Sequence, residues 1–153
     1  MVKKNEIKNI GFIGIGLMGK PMATNLIESK YSINIWNRTK EKANDLIDKG
    51  ATWFNSPKEL AENSDVVITM VTNSKASKQV SCGENGILKG ANKGLILIDM
   101  SSIEPEMSRY IAKKAKEQDV FMLDAPVTGN PVVAKKGKLG IMIGGKEEIY
   151  KKL

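Results

Sequence analysis

Gly14-Ile15-Gly16-Leu17-Met18-Gly19 spells G-x-G-x-x-G, a spacing in which three glycines do three jobs. The first permits a tight turn, the second lets a pyrophosphate approach the backbone, and the third lets a helix lie close to the preceding strand. The chemistry is anion binding: a helix starting here offers free backbone N–H groups and the positive end of its dipole to phosphate. A glycine-rich turn with no ligand is the competing reading. Context favours the first, because residues 8–13 form a short apolar run and Met18, Met22 and Leu26 then recur at helical spacing. Residues 10–26 are therefore read as strand, phosphate loop and helix. Gly14, Ile15, Gly16, Leu17, Met18 and Gly19 are the expected cofactor contacts.

A second group, Asn37-Arg38-Thr39, lies beyond the loop. About 20 residues past such a loop, an NAD-binding domain carries Asp or Glu to accept from the ribose 2′-OH. A carboxylate there would repel a 2′-phosphate, and Asn37 would not. Arg38 can make paired charge-assisted hydrogen bonds to phosphate and stack on adenine. Thr39 can donate its hydroxyl and cap the helix that follows, and Lys42 adds charge about one turn on. The bland reading of Arg38 is a solvated residue at a strand end. The group favours NADP over NAD. The chain has no histidine, one cysteine and no paired carboxylate spacing, so nothing suggests a metal centre.

These groups need a scaffold, and the chain alternates strand-like and helix-like segments at short intervals. Residues 32–36 alternate like a strand. Ala43, Leu46 and Ile47 give a helical face that stops at Gly50, and residues 51–54 read as a short strand. Ser56-Pro57-Lys58-Glu59 has the form of a capping box with proline at the first helical position. Residues 65–71 and 94–99 are buried strands, and residues 73–80 look helical. Pro105 opens a helix with Met107, Ile111 and Ala115 on one face. Residues 120–124 and 139–143 read as further strands, and residues 146–153 as the start of a helix. Strands that are apolar throughout are buried on both faces, as in a parallel sheet. The expected fold class is α/β: a doubly wound, mostly parallel sheet with helices on both faces.

Composition narrows the function classes. The 153 residues suit one domain, and no apolar run approaches the ~20 residues that span a membrane. The opening Met-Val-Lys-Lys-Asn-Glu lacks the apolar core of a secretory signal. Cys82 alone cannot form an internal disulfide, so a reducing cytoplasm is expected. The net charge of +7 is spread over pairs such as Lys3-Lys4, Lys113-Lys114, Lys135-Lys136 and Lys151-Lys152. No basic cluster interleaves with aromatics as a nucleic-acid surface would require. The charge instead suits attraction of a polyanionic cofactor.

Residues 11–26, opening Gly11-Phe12-Ile13-Gly14, resemble the start of the β-hydroxyacid dehydrogenases, which include 3-hydroxyisobutyrate dehydrogenase and the semialdehyde reductases; 6-phosphogluconate dehydrogenase is a broader relative. Asp99-Met100-Ser101-Ser102-Ile103-Glu104-Pro105 resembles the family's Asp-Met-Ser-Thr block. Asp124-Ala125-Pro126-Val127-Thr128-Gly129 resembles its substrate-binding block, and residues 139–145 also match. The Asn-Arg-Thr group is similar to that of NADPH-using semialdehyde reductases and of imine reductases.

The resemblance implies a division into a NADP-binding Rossmann domain at residues 1–145 and, at 146–153, the start of a helix leading toward a further helical domain. It implies that Met70, Val71 and Thr72 flank the cofactor and that Ser102 lies near the nicotinamide ribose. Thr128, Gly129 and Asn130 would hold a small carboxylate-bearing substrate. Ser102 could equally cap the helix opened by Pro105, and Thr128 could be a turn hydroxyl. Asn130 and Val133 depart from family glycines, and Gly140 from a common threonine. Asparagine tolerates a left-handed backbone if Asn130 must take one. The family's proton-transferring lysine would lie beyond Leu153, and full-length members form homo-oligomers through their second domain. The chain is expected to bind NADP without efficient turnover. A stand-alone dinucleotide-binding module and the cofactor domain of an imine reductase are the alternatives.

Overall fold

The apolar stretch after Lys8 forms β1 (Asn9–Ile13) and leads through the glycine loop into α1 (Gly19–Glu28). β2 (Ser32–Trp36) follows, then a 3-10 turn (Lys40–Ala43), α2 (Asn44–Asp48) and β3 (Thr52–Trp53). The pattern continues with α3 (Pro57–Glu62), β4 (Val66–Thr69), α4 (Ser74–Cys82), α5 (Ile87–Gly90), β5 (Ile96–Asp99), α6 (Pro105–Lys116) and β6 (Phe121–Asp124). The last elements are β7 (Val127–Thr128), α7 (Pro131–Lys135), β8 (Gly140–Ile141) and α8 (Glu147–Tyr150). This computed structural model describes residues 7–153. The N-terminal hexapeptide and its Lys3-Lys4 pair lie outside the described residues.

The main sheet has six strands in the order β3-β2-β1-β4-β5-β6, and every pairing is parallel. That is the doubly wound order built from two mononucleotide-binding halves, with its reversal between β1 and β4. Strand residues alternate between the two covered faces. Ile10, Phe12, Ile33 and Ile35 pack with Ala23 of α1 and Leu46 of α2. Ile13, Val67 and Leu97 pack on the other side with Leu60, Val80, Ile87 and Ile111 from the helices α3 to α6. Ile149 of α8 closes a smaller cluster with Val66, Ile96 and Leu123.

The end of the chain differs from expectation. Residues 139–143 contribute only β8, which pairs antiparallel with β7 in a separate two-stranded sheet. The outer edge of β6 accepts a single antiparallel bridge, in which Asp124 and Gly144 exchange hydrogen bonds of 2.9 and 2.7 Å. A Cβ at Gly140 would clash only with the Thr128 Oγ1, at 2.5 Å, the end of an exposed side chain. α5 and α7 are too short to leave a periodic apolar signal in the sequence. α7 owes its start to Asn130, whose Oδ1 accepts from the Val133 N–H at 3.0 Å, and to Pro131 in its first turn. Asn130 has φ −131°, so the left-handed conformation considered for it does not occur. The Asn25 amide of α1 donates to the Ala134 carbonyl at 2.8 Å and ties α7 back to the first helix.

The capping box forms with one change of partner. The Ser56 hydroxyl accepts from the Glu59 N–H at 3.1 Å, whereas the Glu59 carboxylate accepts from the Asn55 N–H, one residue ahead of the cap. Ser56→Ala should cost about 1 kcal/mol of stability. Urea melts should show a lower midpoint with an unchanged m-value.

Candidate functional site

The C-terminal ends of β1, β2 and β4 open onto one cleft of ≈ 250 Å³. Gly14, Ile15 and Gly16 form its floor, with Asn37, Arg38, Thr39 and Lys42 on one side and Met70, Val71 and Thr72 on the other. The two outer glycines of the loop are packing requirements. A Cβ on Gly14, which has φ +102°, would sit 2.1 Å from the Met70 carbonyl oxygen. A Cβ on Gly19 would sit 1.8 Å from the Gly14 carbonyl oxygen, so α1 rests directly on the loop that precedes it. Gly16 is different: a Cβ there would meet nothing within 4 Å. Its missing side chain leaves room for something other than this chain's own atoms.

Among the described residues, the backbone N–H groups of Gly16, Leu17 and Met18 have no hydrogen-bond partner. Helix α1 has no side-chain cap and no acidic residue in its first turn. A helix N-terminus without either is left with its orphan donors and its positive partial charge. Lys20 does not compete for this position, because its ammonium pairs with Asp45 on α2. That ammonium, by hydrogen bond and charge, holds the Asp45 carboxyl below the ordinary aspartate range.

Asn37 turns out to be a brace. Its Oδ1 accepts from the Ile15 N–H and its Nδ2 donates to the Thr39 carbonyl, both at 2.9 Å. The amide thus locks the glycine loop to the turn that carries Arg38. Thr39 occupies the cap position of the 3-10 turn, but its hydroxyl makes no capping bond, contrary to expectation. The hydroxyl is consequently free of that duty. Arg38 and Lys42 are exposed on the wall of the cleft, and among the described residues neither forms a salt bridge. Lys40 is turned away, over the Trp53 ring at 5.4 Å.

The cleft also has a wall that sequence reasoning missed. Ala76, Gln79 and Val80 of α4 line it, and their i, i+3, i+4 spacing was the available signal. Asn73 places this helix by accepting from the Ala76 N–H at 2.9 Å.

Ser102 lies in a neighbouring open concavity of ≈ 620 Å³, with Asn73, Ser74, Lys75, Ile103 and Glu104. It does not cap α6; Glu104 holds that position, without a side-chain cap. Thr128, Gly129 and Asn130 belong to neither concavity. They are exposed on the hairpin beyond β6, where Gly129 adopts φ +135°. Leu17, at the tip of the loop, is 82% exposed.

Two other titratable groups, outside both concavities, are shifted by burial. Burial pushes the Cys82 thiol upward despite Lys114 and Lys78, which opposes thiolate reactivity. Burial also raises the Asp124 carboxyl, and the charge of Asp99 on the adjacent strand adds to the effect. An acid whose folded pKa is raised stabilises the fold only while protonated. That contribution is full below its unfolded pKa and disappears as pH rises through the raised value. Asp124→Asn should therefore be more stable than the parent at neutral pH and equal to it near about pH 3, below the ordinary aspartate value of about 3.9. Thermal melts at the two pH values test this; a difference independent of pH would contradict it.

Comparison with known proteins agrees with this fold. Residues 9–153 match the family model for the NAD binding domain of 6-phosphogluconate dehydrogenase. The mitochondrial 3-hydroxyisobutyrate dehydrogenase of Bos taurus is 40% identical over 141 residues, covering 92% of this chain and 42% of that protein. A solved structure of Mycobacterium tuberculosis 3-hydroxyisobutyrate dehydrogenase with L-serine is similar at TM-score 0.89 and 29% identity, over 95% of this chain and 49% of that one. Psf3 in complex with NADP+ and 2-OPP is similar at TM-score 0.88 and 30% identity, over 93% and 50%. Imine reductases share the fold. The chain spans about half the length of the curated relatives it matches.

Proposed function

The chain belongs to the family of the NAD binding domain of 6-phosphogluconate dehydrogenase, and on that premise we propose that it is the NADP-binding part of an oxidoreductase moving hydride between NADPH and a small semialdehyde or 3-hydroxy acid. One observation carries the cofactor reading. The cleft brings the free N–H of Gly16, two residues ahead of the uncapped N-terminus of α1, and the guanidinium of Arg38, which forms no salt bridge among the described residues, to the same space. A dinucleotide with an additional phosphate on its adenine ribose needs both.

In this reading the glycine loop and the first turn of α1 hold the pyrophosphate. Arg38 and Lys42 meet the 2′-phosphate, and Thr39 offers it a hydroxyl. Asn37 serves by bracing the turn, with no carboxylate present to repel the phosphate. Met70, Val71 and Thr72 flank the cofactor, and Ser102 meets its nicotinamide ribose. Thr128 and the Gly129 backbone receive the substrate carboxylate, while Asn130 holds their loop by capping α7. The bound nicotinamide supplies or accepts the hydride. The residues of this chain orient it and keep the phosphates in place. That the related Psf3 is solved with NADP+ and a related dehydrogenase with L-serine supports a phosphorylated cofactor and a small polar substrate.

Hydride transfer to a carbonyl also needs a proton at the oxygen. The chain has no histidine, and none of its lysines stands in the family's catalytic motif. We therefore expect these 153 residues to bind NADPH without turning it over. A single cysteine suits a reducing compartment, and the cytoplasm is the reading we prefer; the bovine relative is mitochondrial.

Arg38→Ala should weaken NADPH binding by roughly 10- to 100-fold, the loss expected for a charged hydrogen bond, while leaving NADH affinity nearly unchanged. Titrations with both cofactors measure this. Tighter binding of NADH than NADPH by the unmodified chain would overturn the NADP assignment. NADPH oxidation with glyoxylate or succinic semialdehyde should be negligible for the chain alone; turnover of about 1 per second or faster, an ordinary enzymic rate, would refute the missing-proton argument.

A further inference from the structure

We propose that Asp99 and Ser101 are positioning residues that hold the two loops at the nicotinamide end of the cleft in one shared geometry, without contacting the cofactor themselves. The proposal rests on the reading that a dinucleotide occupies the cleft. Both side chains are buried, at 0% and 1% exposure, and neither lines a concavity. Asp99, at the end of β5, gathers donors from three elements. Its Oδ1 accepts from the Thr69 hydroxyl of β4 at 3.0 Å and from the Ser101 N–H at 3.0 Å. Its Oδ2 accepts from the Ser77 hydroxyl of α4. Ser101 passes the connection on, because its Oγ accepts from the Val71 N–H at 2.9 Å.

A buried carboxylate is costly unless it is fully hydrogen-bonded. Among the described residues no lysine or arginine pairs with Asp99. The carboxylate is satisfied by neutral donors alone, so it holds its place only while β4, α4 and the turn after β5 keep this arrangement. The residues next to those donors form the surface. Met70, Val71 and Thr72 line the cleft, and Ser102 with residues 73–75 lines the adjoining concavity. A second tie, from the Glu104 N–H to the Ser74 hydroxyl at 3.0 Å, joins the same two loops farther out. In this sheet order the first half receives the adenine mononucleotide and the β4–β6 half receives the other. The polar network lies in that second half, away from Arg38.

The location dictates the test. Ser101→Ala removes the partner of the Val71 N–H and leaves the Asp99 contacts to Thr69 and Ser77. Calorimetric titration of the unmodified chain and the variant with NADPH and with 2′,5′-ADP, which lacks the nicotinamide half, separates the two ends. Ser101→Ala should lower NADPH affinity by about 3- to 10-fold, as for one hydrogen bond, and leave 2′,5′-ADP affinity unchanged. Hydrogen exchange at the Val71 amide should accelerate. Thr69→Val keeps the side-chain shape, removes one donor to Asp99 and should give the same pattern; it replaces Ser101→Ala if that variant does not fold. Equal weakening of both ligands, or of neither, would overturn the proposal. Failure of the unmodified chain to bind 2′,5′-ADP would overturn the cofactor reading itself and this inference with it, an outcome visible before any variant is made.

Discussion

The architecture turns on backbone lying against backbone at the glycine loop. Gly14 passes under the Met70 carbonyl, and Gly19 rests on the Gly14 carbonyl. With a side chain at either position, α1 would have to move off β1 or the loop off β4. Interiors packed at crystal-like density transmit such a displacement instead of absorbing it. Because the loop lies where strand order reverses, between β1 and β4, the same two contacts open the crevice between the halves of the sheet. Gly16, which nothing in the chain crowds, is the position at which that crevice has room for a ligand.

Much of this was legible because it is local. The three glycines, the Ser56-Pro57 start of α3 and the Pro105 start of α6 each depend on residues a few positions apart. Their geometry follows from propensity and from which N–H groups are free. The apolar runs likewise locate the parallel strands, since burial on both faces leaves no alternation to interrupt them. Order along the chain and handedness then leave few topologies open. The family resemblance agreed with all of this and extended it to the hairpin block.

What escaped depends on distant partners or on which bond an amide selects. Asn37 read as a neutral substitute for a carboxylate, yet its amide spans the Ile15 N–H and the Thr39 carbonyl. Spacing cannot reveal that, because the two partners become adjacent only when β2 lies beside the loop. Asn130 read as a departure from a family glycine that could tolerate a left-handed backbone if one were required, yet it sits in extended backbone and caps a helix of five residues. Residues 139–143 look like a sheet strand by composition, but β6 offers them one bridge and the hairpin takes the rest. For Asn37 and residues 139–143 the local signal was real and a long-range hydrogen bond determined its use, whereas Asn130 was decided by the N–H three residues on.

The two ends of the crevice are built on different physics. At the first half the proposed binding groups are exposed charges, Arg38 and Lys42, on a wall open to solvent. Attraction of this kind reaches into solution, favours a highly charged cofactor and is weakened by salt over a Debye length of about 10 Å at 0.1 M. At the second half the organising group is a carboxylate wholly removed from water and held by hydroxyl and amide donors. Bonds of that kind are hardly screened and act by direction. An extended ligand captured by charge at one end and aligned by a rigid wall at the other needs no strong contact at its reactive part. On the proposed reading the chain's positive charge serves capture, and its buried polar network serves alignment. A substitution at one end should consequently leave the other end's contribution intact, because the exposed charges and the buried network share no residue.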